Sequence, residues 1–513
     1  MTLTAETHSG AAPDHIGAEH FDVLIVGAGI SGVGSAVHLK EQCPGKSFVI
    51  LDSQDHFGGT WWTHKYPGIR SDSDLYTFGY RFKPWTGTPI ATADKILAYM
   101  GEVIEEHDLD RHIRYRHKIG KARWSSEANM WTVEATRTDT GETKTYTANF
   151  LWMCQGYYRH EEGYTPEWPG MDAFKGRVVH PQTWPQDLDY KGKKVVVIGS
   201  GATAATLIPS MADEAGHVTM LQRSPTYFVP GRNVDDLADT LRDLEIPETW
   251  IHEIVRRQRL KMGQLFTRRS FEEPEAVKQE LLAGVSAFVG PEITEQHFTP
   301  KYRPWRQRIA FVPEGDIFQK VREGKASVVT GEIERFTEKG ILLKSGEVLE
   351  ADIVITATGF NLCVLGDIAF EVDGAPVDFS KTVTYRGMMF TGVPNMVWVF
   401  GYFRASWTLR VDLMGDFVCR LLNHMDARGA TKVSVRLRPE DEGLAPQPWI
   451  DPEDFNPGYL MRGLQAMPKR LDKAEWRHTQ DYWTERKVLP AIDLDGAEFV
   501  YAGAKAPEAI AAE

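Results

Sequence analysis

Phe21-Asp-Val-Leu-Ile-Val26-Gly27-Ala-Gly29-Ile-Ser31-Gly32 is a short apolar run of strand type that ends in a glycine-rich turn. Ile30, Val33 and Val37 then recur at helical spacing. Lys46-Ser-Phe-Val-Ile-Leu51 reads as a second strand, and Asp52 ends it 25 positions after Gly27. Strand, glycine turn, helix, strand and acid together spell a dinucleotide-binding βαβ unit. Gly29, at the helix start, lets backbone amides approach a pyrophosphate.

The pattern returns once. Lys194-Val-Val-Val-Ile198 runs into Gly199-Ser200-Gly201-Ala202-Thr203-Ala204-Ala205 and a helical stretch to about Ala212. Pro209 lies inside that stretch, so a kink or an early end is expected there. The next strand, Val218-Thr-Met-Leu221, ends in Gln222-Arg223-Ser224, with no acid. An acid accepts hydrogen bonds from a ribose 2′-hydroxyl and repels a 2′-phosphate, whereas an arginine welcomes the phosphate. The first site therefore suits FAD or NAD, and the second suits NADP through Arg223. The plainer alternative is a solvated Arg223.

Working outward gives an α/β protein with two Rossmann-like domains and a helical insert in the second. The expected division is a flexible leader at 1–20 and an FAD domain at 21–155 and 381–513. An NADP domain follows at 156–228 and 308–380, with the insert at 229–307. The 513 residues agree with about three domains. Acidic residues exceed basic ones by 71 − 58 = 13, which argues against a nucleic-acid-binding protein. The four cysteines form no CxxC, so a zinc ribbon, a dithiol redox motif and a disulfide framework are not expected. No metal site is expected, and reduced thiols suggest the cytoplasm. No run of about 18 apolar residues occurs, which rules out a spanning helix and leaves peripheral membrane contact open.

Tight FAD beside exchangeable NADPH makes a hydride relay. Without a redox-active cysteine pair, the outlet is molecular oxygen, through a C4a-peroxyflavin. Phe174-Lys-Gly176-Arg-Val-Val-His180-Pro-Gln-Thr-Trp184-Pro185 precedes the second strand–turn–helix unit. It resembles the FxGxxxHxxxWP fingerprint of type I Baeyer–Villiger monooxygenases. Other stretches also look like this family: Gly58-Gly-Thr-Trp61, Tyr66-Pro-Gly-Ile-Arg70-Ser-Asp72-Ser-Asp74, Pro304-Trp305-Arg-Gln-Arg308, Ala357-Thr-Gly359-Phe360 and Phe455-Asn-Pro-Gly-Tyr459. Together they resemble most the ethionamide-activating branch, with Asp52 standing where that family usually has Glu.

The resemblance implies an enzyme that uses FAD, NADPH and O2 to turn apolar ketones into esters or lactones, and that also oxidises sulfides or thioamides. It assigns Arg308 and Asp72 to catalysis. A guanidinium cannot lose its proton and supplies several donors to an anionic adduct. Gly27, Gly29, Ser31, Gly32, Asp52, Gly59, Thr60, Trp61, Trp62, Thr63, Asp72 and Ile119 are implied for FAD. Arg70, Ser71, Gly199, Ser200, Gly201, Ala202, Thr203, Ala204, Ala205, Arg223 and Ser224 are implied for NADP. Phe174, Gly176, His180, Trp184 and Pro185 form the fingerprint, in which His180 is a hinge residue. Two other functions compete: a sulfur or nitrogen oxygenase, and a non-catalytic flavin- and NADPH-binding protein.

Overall fold

The computed structural model describes residues 18–503. The expected leader therefore lies mostly outside the described residues. Its last three positions are described, and Glu19 and His20 belong to the continuous strand Glu19–Val26, which pairs with 143–153 from Glu19 onward.

The first unit is built on a nine-stranded sheet. Its parallel centre sets 19–26 between 48–51 and 143–153. Strand 396–398 returns late in the chain to pair with 151–153. Leu24, Ile25, Ile50 and Trp152 are fully or almost fully buried, as expected where helices and loops cover both faces of a parallel sheet. The helix Ile30–Gln42 packs against the long helix Thr408–Arg428 over one face. The second unit is an all-parallel five-stranded sheet in the order 326–330, 217–222, 194–198, 353–356, 177–179. Its helix Ala202–Met211 runs through Pro209 and ends two residues later.

Two expected boundaries shift. Strand Ala369–Val372 pairs in parallel with 121–124 of the first sheet, and 375–376 pairs with it in turn. The stretch 369–377 thus hydrogen-bonds to the first unit rather than the second. The 229–307 insert contains four helices: Asp236–Asp243, Glu248–Glu272, Pro274–Val289 and Pro291–His297. Ala238, Ile251 and Val255 join the core of the first unit, while Val285 and Phe298 join the core of the second. The insert therefore straddles both units. Arg256 anchors it, donating to the carbonyls of Tyr76, Thr77 and Gly79 at 2.9–3.2 Å and facing Asp412 at 3.4 Å. Those carbonyls belong to the end of the short helix Leu75–Phe78, where the last carbonyls have no partner within the helix; that of Thr77 also accepts from the Thr408 hydroxyl at 3.3 Å.

The four cysteines are buried free thiols. Among the described residues no helix is long and apolar enough to cross a membrane, and no cluster suits a metal ion.

Candidate active site

The first glycine turn builds a cradle. Gly27 has φ +99°, and a Cβ there would lie 2.8 Å from the Cys154 carbonyl oxygen. Gly29 caps the helix Ile30–Gln42 without a side-chain hydrogen bond, so the helix start presents open backbone amides. Gly59 lies across from it, and a Cβ on Gly59 would come within 3.1 Å of the Gly29 Cα. Two bare backbones facing each other at a helix N-terminus suit a pyrophosphate. Asp52 receives the Ala28 N–H at 2.6 Å and the Gln54 N–H at 2.8 Å. Burial nonetheless raises its pKa. Ser31 Oγ accepts from the Trp407 indole at 2.8 Å, which ties the turn to the start of Thr408–Arg428. Ile119 is a buried strand residue paired with Ala135.

The segment after Gly59 is tied outward. Thr60 Oγ1 lies 2.7 Å from the Tyr158 hydroxyl, and Thr63 Oγ1 lies 3.3 Å from His160 Nδ1. Trp61 packs edge-on against Phe78. Trp62 stacks on His56, donates to Asp55 at 2.9 Å and lies under the Lys65 ammonium.

The second cradle has the same design. Gly199 has φ +131°, and its missing Cβ would meet the Ala357 carbonyl at 2.3 Å. Gly201 opens the helix Ala202–Met211, again with no side-chain cap, and a Cβ there would meet nothing within 4 Å. Thr203 stands in the first turn, and Ala204 and Ala205 are buried behind it. Ser200 Oγ lies 2.9 Å from Thr226 Oγ1 and 3.3 Å from the Ser224 carbonyl. Arg223 is exposed at the end of strand 217–222 and forms no ion pair with a described residue.

Residues 66–74 join the two units. Tyr66 is buried in the second core, and Gly68 lies so close to the helix 202–211 that a Cβ would collide with Ser210 Oγ. Arg70 pairs with Asp316 of the second unit at 2.6 Å. Ser71 closes a tight turn, accepting the Ser73 N–H at 3.0 Å and donating to the Ser73 carbonyl at 2.8 Å. Neither Arg70 nor Ser71 is thus left idle by the fold. Asp74 caps the helix Leu75–Phe78 and faces Arg259 of the insert at 3.3 Å. Burial pushes its carboxyl up to about 6.

Between Ser71 and Asp74 the turn presents Asp72. Arg308 donates to Asp72 Oδ2 at 2.9 Å and to the Phe403 carbonyl at 3.4 Å. The Asp72 charge raises the Arg308 pKa against the cost of burial. The guanidinium side chain remains 38% exposed, so a ligand can reach it. Tyr157 and Tyr459 have rings 6.1 Å apart beside the pair, and burial keeps both phenols protonated.

His180 sits where the units meet. A Cβ on Gly163 would overlap its ring, so the imidazole packs flat on bare backbone. Its Nδ1 accepts the Gln182 N–H at 3.1 Å, which leaves Nε2 as the donor to the Gly359 carbonyl at 3.2 Å. Burial lowers its pKa, in keeping with this neutral tautomer. Of the other fingerprint residues, Phe174 packs edge-on against Phe336. Gly176 avoids the Asp352 carbonyl, which would lie 2.2 Å from a Cβ. Trp184 and Pro185 leave the short turn 181–183, and Trp184 packs against the second core.

Sequence reasoning missed Tyr157, Phe403, Trp407 and Asp316. Tyr157 had a usable signal, since it follows Gly156 at the end of the central strand 143–153, where ligands of such sheets gather. Phe403 acts through its carbonyl, which no side-chain motif reveals.

Residues 89–237 match the flavin-binding monooxygenase-like family, and 25–86 match an NAD(P)-binding Rossmann-like domain. The chain is 46% identical over 483 residues to the FAD-containing monooxygenase EthA of Mycolicibacterium smegmatis, covering 93% of this chain and 96% of that protein. It is 44% identical over 480 residues to a probable FAD-binding monooxygenase, AlmA, of Acinetobacter baylyi, covering 93% and 95%. The fold is shared with cyclohexanone monooxygenase (open crystal structure; TM-score 0.74, 21% identity, 94% and 100% coverage). It is also shared with an NADP-bound steroid monooxygenase (TM-score 0.72, 22% identity, 94% and 99% coverage). Two glycine cradles, one ended by an acid and one by an arginine, fit FAD and NADPH, and the chain belongs to the flavin-binding monooxygenases, oxidoreductases that carry FAD and draw on NADPH.

Proposed function

We propose that the protein inserts one atom of O2 into an apolar ketone, giving an ester or lactone, with NADPH oxidised and the second oxygen atom released as water. In this reading the first unit holds FAD and the second holds NADP. Bound FAD, once reduced by NADPH, supplies the activated oxygen.

The observation that carries the reading is the Arg308–Asp72 pair. Attack on a ketone carbon moves negative charge onto the carbonyl oxygen. A guanidinium fixed beforehand stabilises that charge without reorganising, and it stays protonated throughout. Asp72 and the Phe403 carbonyl fix its direction with hydrogen bonds at 2.9 and 3.4 Å. The neutral phenols of Tyr157 and Tyr459 line the same space and keep it partly apolar, as a ketone requires. Asp52 would receive the ribose hydroxyls of FAD, and Arg223 the 2′-phosphate of NADP. His180 would link the two units while staying neutral, as a hinge residue and not a proton carrier.

Product analysis tests the proposal. FAD-loaded protein with NADPH, 2-dodecanone and 18O2 should yield an ester carrying one labelled atom. A parallel reaction with an alkyl aryl sulfide weighs the heteroatom reading. Sulfoxide without any ester across a ketone series would replace ketone oxidation by that reading.

A further inference from the structure

Next to Phe403 lies a cleft of about 340 Å³ that the chemistry above does not use. One residue links it to the Arg308 site. The Phe403 carbonyl accepts from Arg308, and the Phe403 N–H donates at 2.5 Å to Gln480, which lines the cleft.

The walls hold donors in excess. Trp449 is 1% exposed, and its indole N–H has no partner among the described residues. Arg470 spends its Nε on the Pro448 carbonyl at 2.9 Å, and its nearest carboxylate, Asp451, stands 3.9 Å away. Arg477 comes no nearer than 3.7 Å to Asp472. Among the described residues, both guanidiniums therefore retain terminal N–H groups outside hydrogen-bond range of an acid. The two acids of the wall, Asp451 and Asp454, offset this only in part. Asp454 is already paired with Arg303 at 2.8 Å and Arg404 at 3.0 Å, and Asp451 Oδ1 takes the Glu453 N–H at 2.9 Å. His478 is buried and neutral, its pKa lowered by burial to about 3. The Trp449 ring and Ile450 supply an apolar wall beside these donors. Two planar cationic forks and an orphaned N–H, set against an apolar surface, complement a carboxylate on a hydrocarbon stem.

We propose that this cleft binds the carboxylate of the substrate, so that the protein prefers keto acids: a carbonyl at Arg308 and a remote carboxylate at Arg470 and Arg477. This rests on the ketone reading given above. It makes the cleft a specificity site rather than a place of reaction.

The test compares 11-oxododecanoate with its methyl ester on the FAD-loaded enzyme, with dodecanoate titrated separately by calorimetry. A charge-assisted contact of this kind should favour the acid about tenfold or more in kcat/KM. Arg470→Gln with Arg477→Gln should bring the acid-to-ester ratio near one by raising KM for the acid. Trp449→Phe keeps an aromatic ring, removes the N–H and should narrow the ratio a few-fold. Retained flavin absorbance shows that each variant is folded. A wild-type enzyme that treats acid and ester alike overturns the proposal, as does a double variant that keeps the preference. If dodecanoate binds and the double variant loses it while the keto acid gains no advantage, the cleft holds a separate carboxylate and the substrate assignment falls. If no ketone is oxidised at all, the ketone reading fails. Dodecanoate binding that depends on Arg470 and Arg477 then still supports the carboxylate site, and its absence removes that too.

Discussion

Arg308→Ala should separate coenzyme oxidation from product formation. Arg308 is held at two points, by Asp72 at 2.9 Å and by the Phe403 carbonyl at 3.4 Å. It therefore waits in place for the charge that develops on the substrate. Losing one preorganised donor at such a position costs about 3–4 kcal/mol, a hundred- to a thousandfold in rate. Hydride transfer from NADPH develops no negative charge at the guanidinium and should persist more slowly. The variant should thus consume NADPH and release hydrogen peroxide while forming ester at 1% of the normal rate or less. Asp72→Asn should be milder. The charges are about 4 Å apart, worth about 4 kcal/mol at an effective dielectric of 20. Both side chains are partly exposed, at 38% and 25%, and solvent screening reduces this to about 1–2 kcal/mol. The expected loss of ester is then about 5- to 30-fold, with Arg308 still charged but less well aimed. Stopped-flow reduction of the flavin, read beside gas chromatography of the ester, measures the two halves. Near-normal ester formation by Arg308→Ala would refute the reasoning, as would a larger loss for Asp72→Asn than for Arg308→Ala.

Arg223→Ala should weaken NADPH binding about tenfold or more and leave NADH nearly unchanged, since one charge-assisted phosphate contact is lost; coenzyme titrations decide it. Gly29→Val should give folded, colourless protein. A Cβ at Gly29 meets only ordinary contacts, the nearest being the Gly59 Cα at 3.6 Å, yet it fills the space between the two backbones. Circular dichroism and the 450 nm flavin absorbance should separate these effects, and a yellow variant would contradict the cradle. His64 is 4% exposed, and burial lowers its pKa from 6.5 to about 4. The unfolded chain therefore binds more protons between pH 4 and 6.5, and stability is lost as pH falls through that window. His64 accounts for about 2 kcal/mol between pH 7 and pH 5, a loss that Asp74, whose carboxyl is raised, partly offsets. Urea unfolding of His64→Leu at both pH values should show that much less acid sensitivity than wild type.

Both glycine turns were legible because a bare Cα is the only answer to the Cys154 and Ala357 carbonyls that press on Gly27 and Gly199. The contrast between Asp52 and Arg223 was legible because it is chemistry at a fixed distance from a strand end. The Arg308–Asp72 pairing came from family resemblance, as 236 residues separate the two and no local pattern joins them. The path of the insert was hidden for a different reason. Glu248–Glu272 is charged along its length and buries few residues, one of them Arg256, so its inward face does not look apolar. Arg256 is inside because three backbone carbonyls await it. Residues 369–377 were given to the other unit because Gly366-Asp367 and Asp373-Gly374 mark the ends of the short strand 369–372 but nothing in four residues says which sheet it joins.

The straddling insert also has a mechanical meaning. The ribbon of 158–163 paired with 360–362 carries both chain crossings between the units, and alone it would permit rotation in several directions. The insert adds a strut, clamped toward one end by Arg256 and bedded at the other in the second core through Val285 and Phe298. Its two long helices meet at Glu273, a single residue with φ −132° and ψ 51°. Any swing of one unit on the other has to be taken up there, by sliding of the bedded end, and in the 66–74 segment that also joins the units. The strut thus leaves the pair of units closer to a door than to a ball joint, and the direction of opening is written into a helix that touches neither cradle.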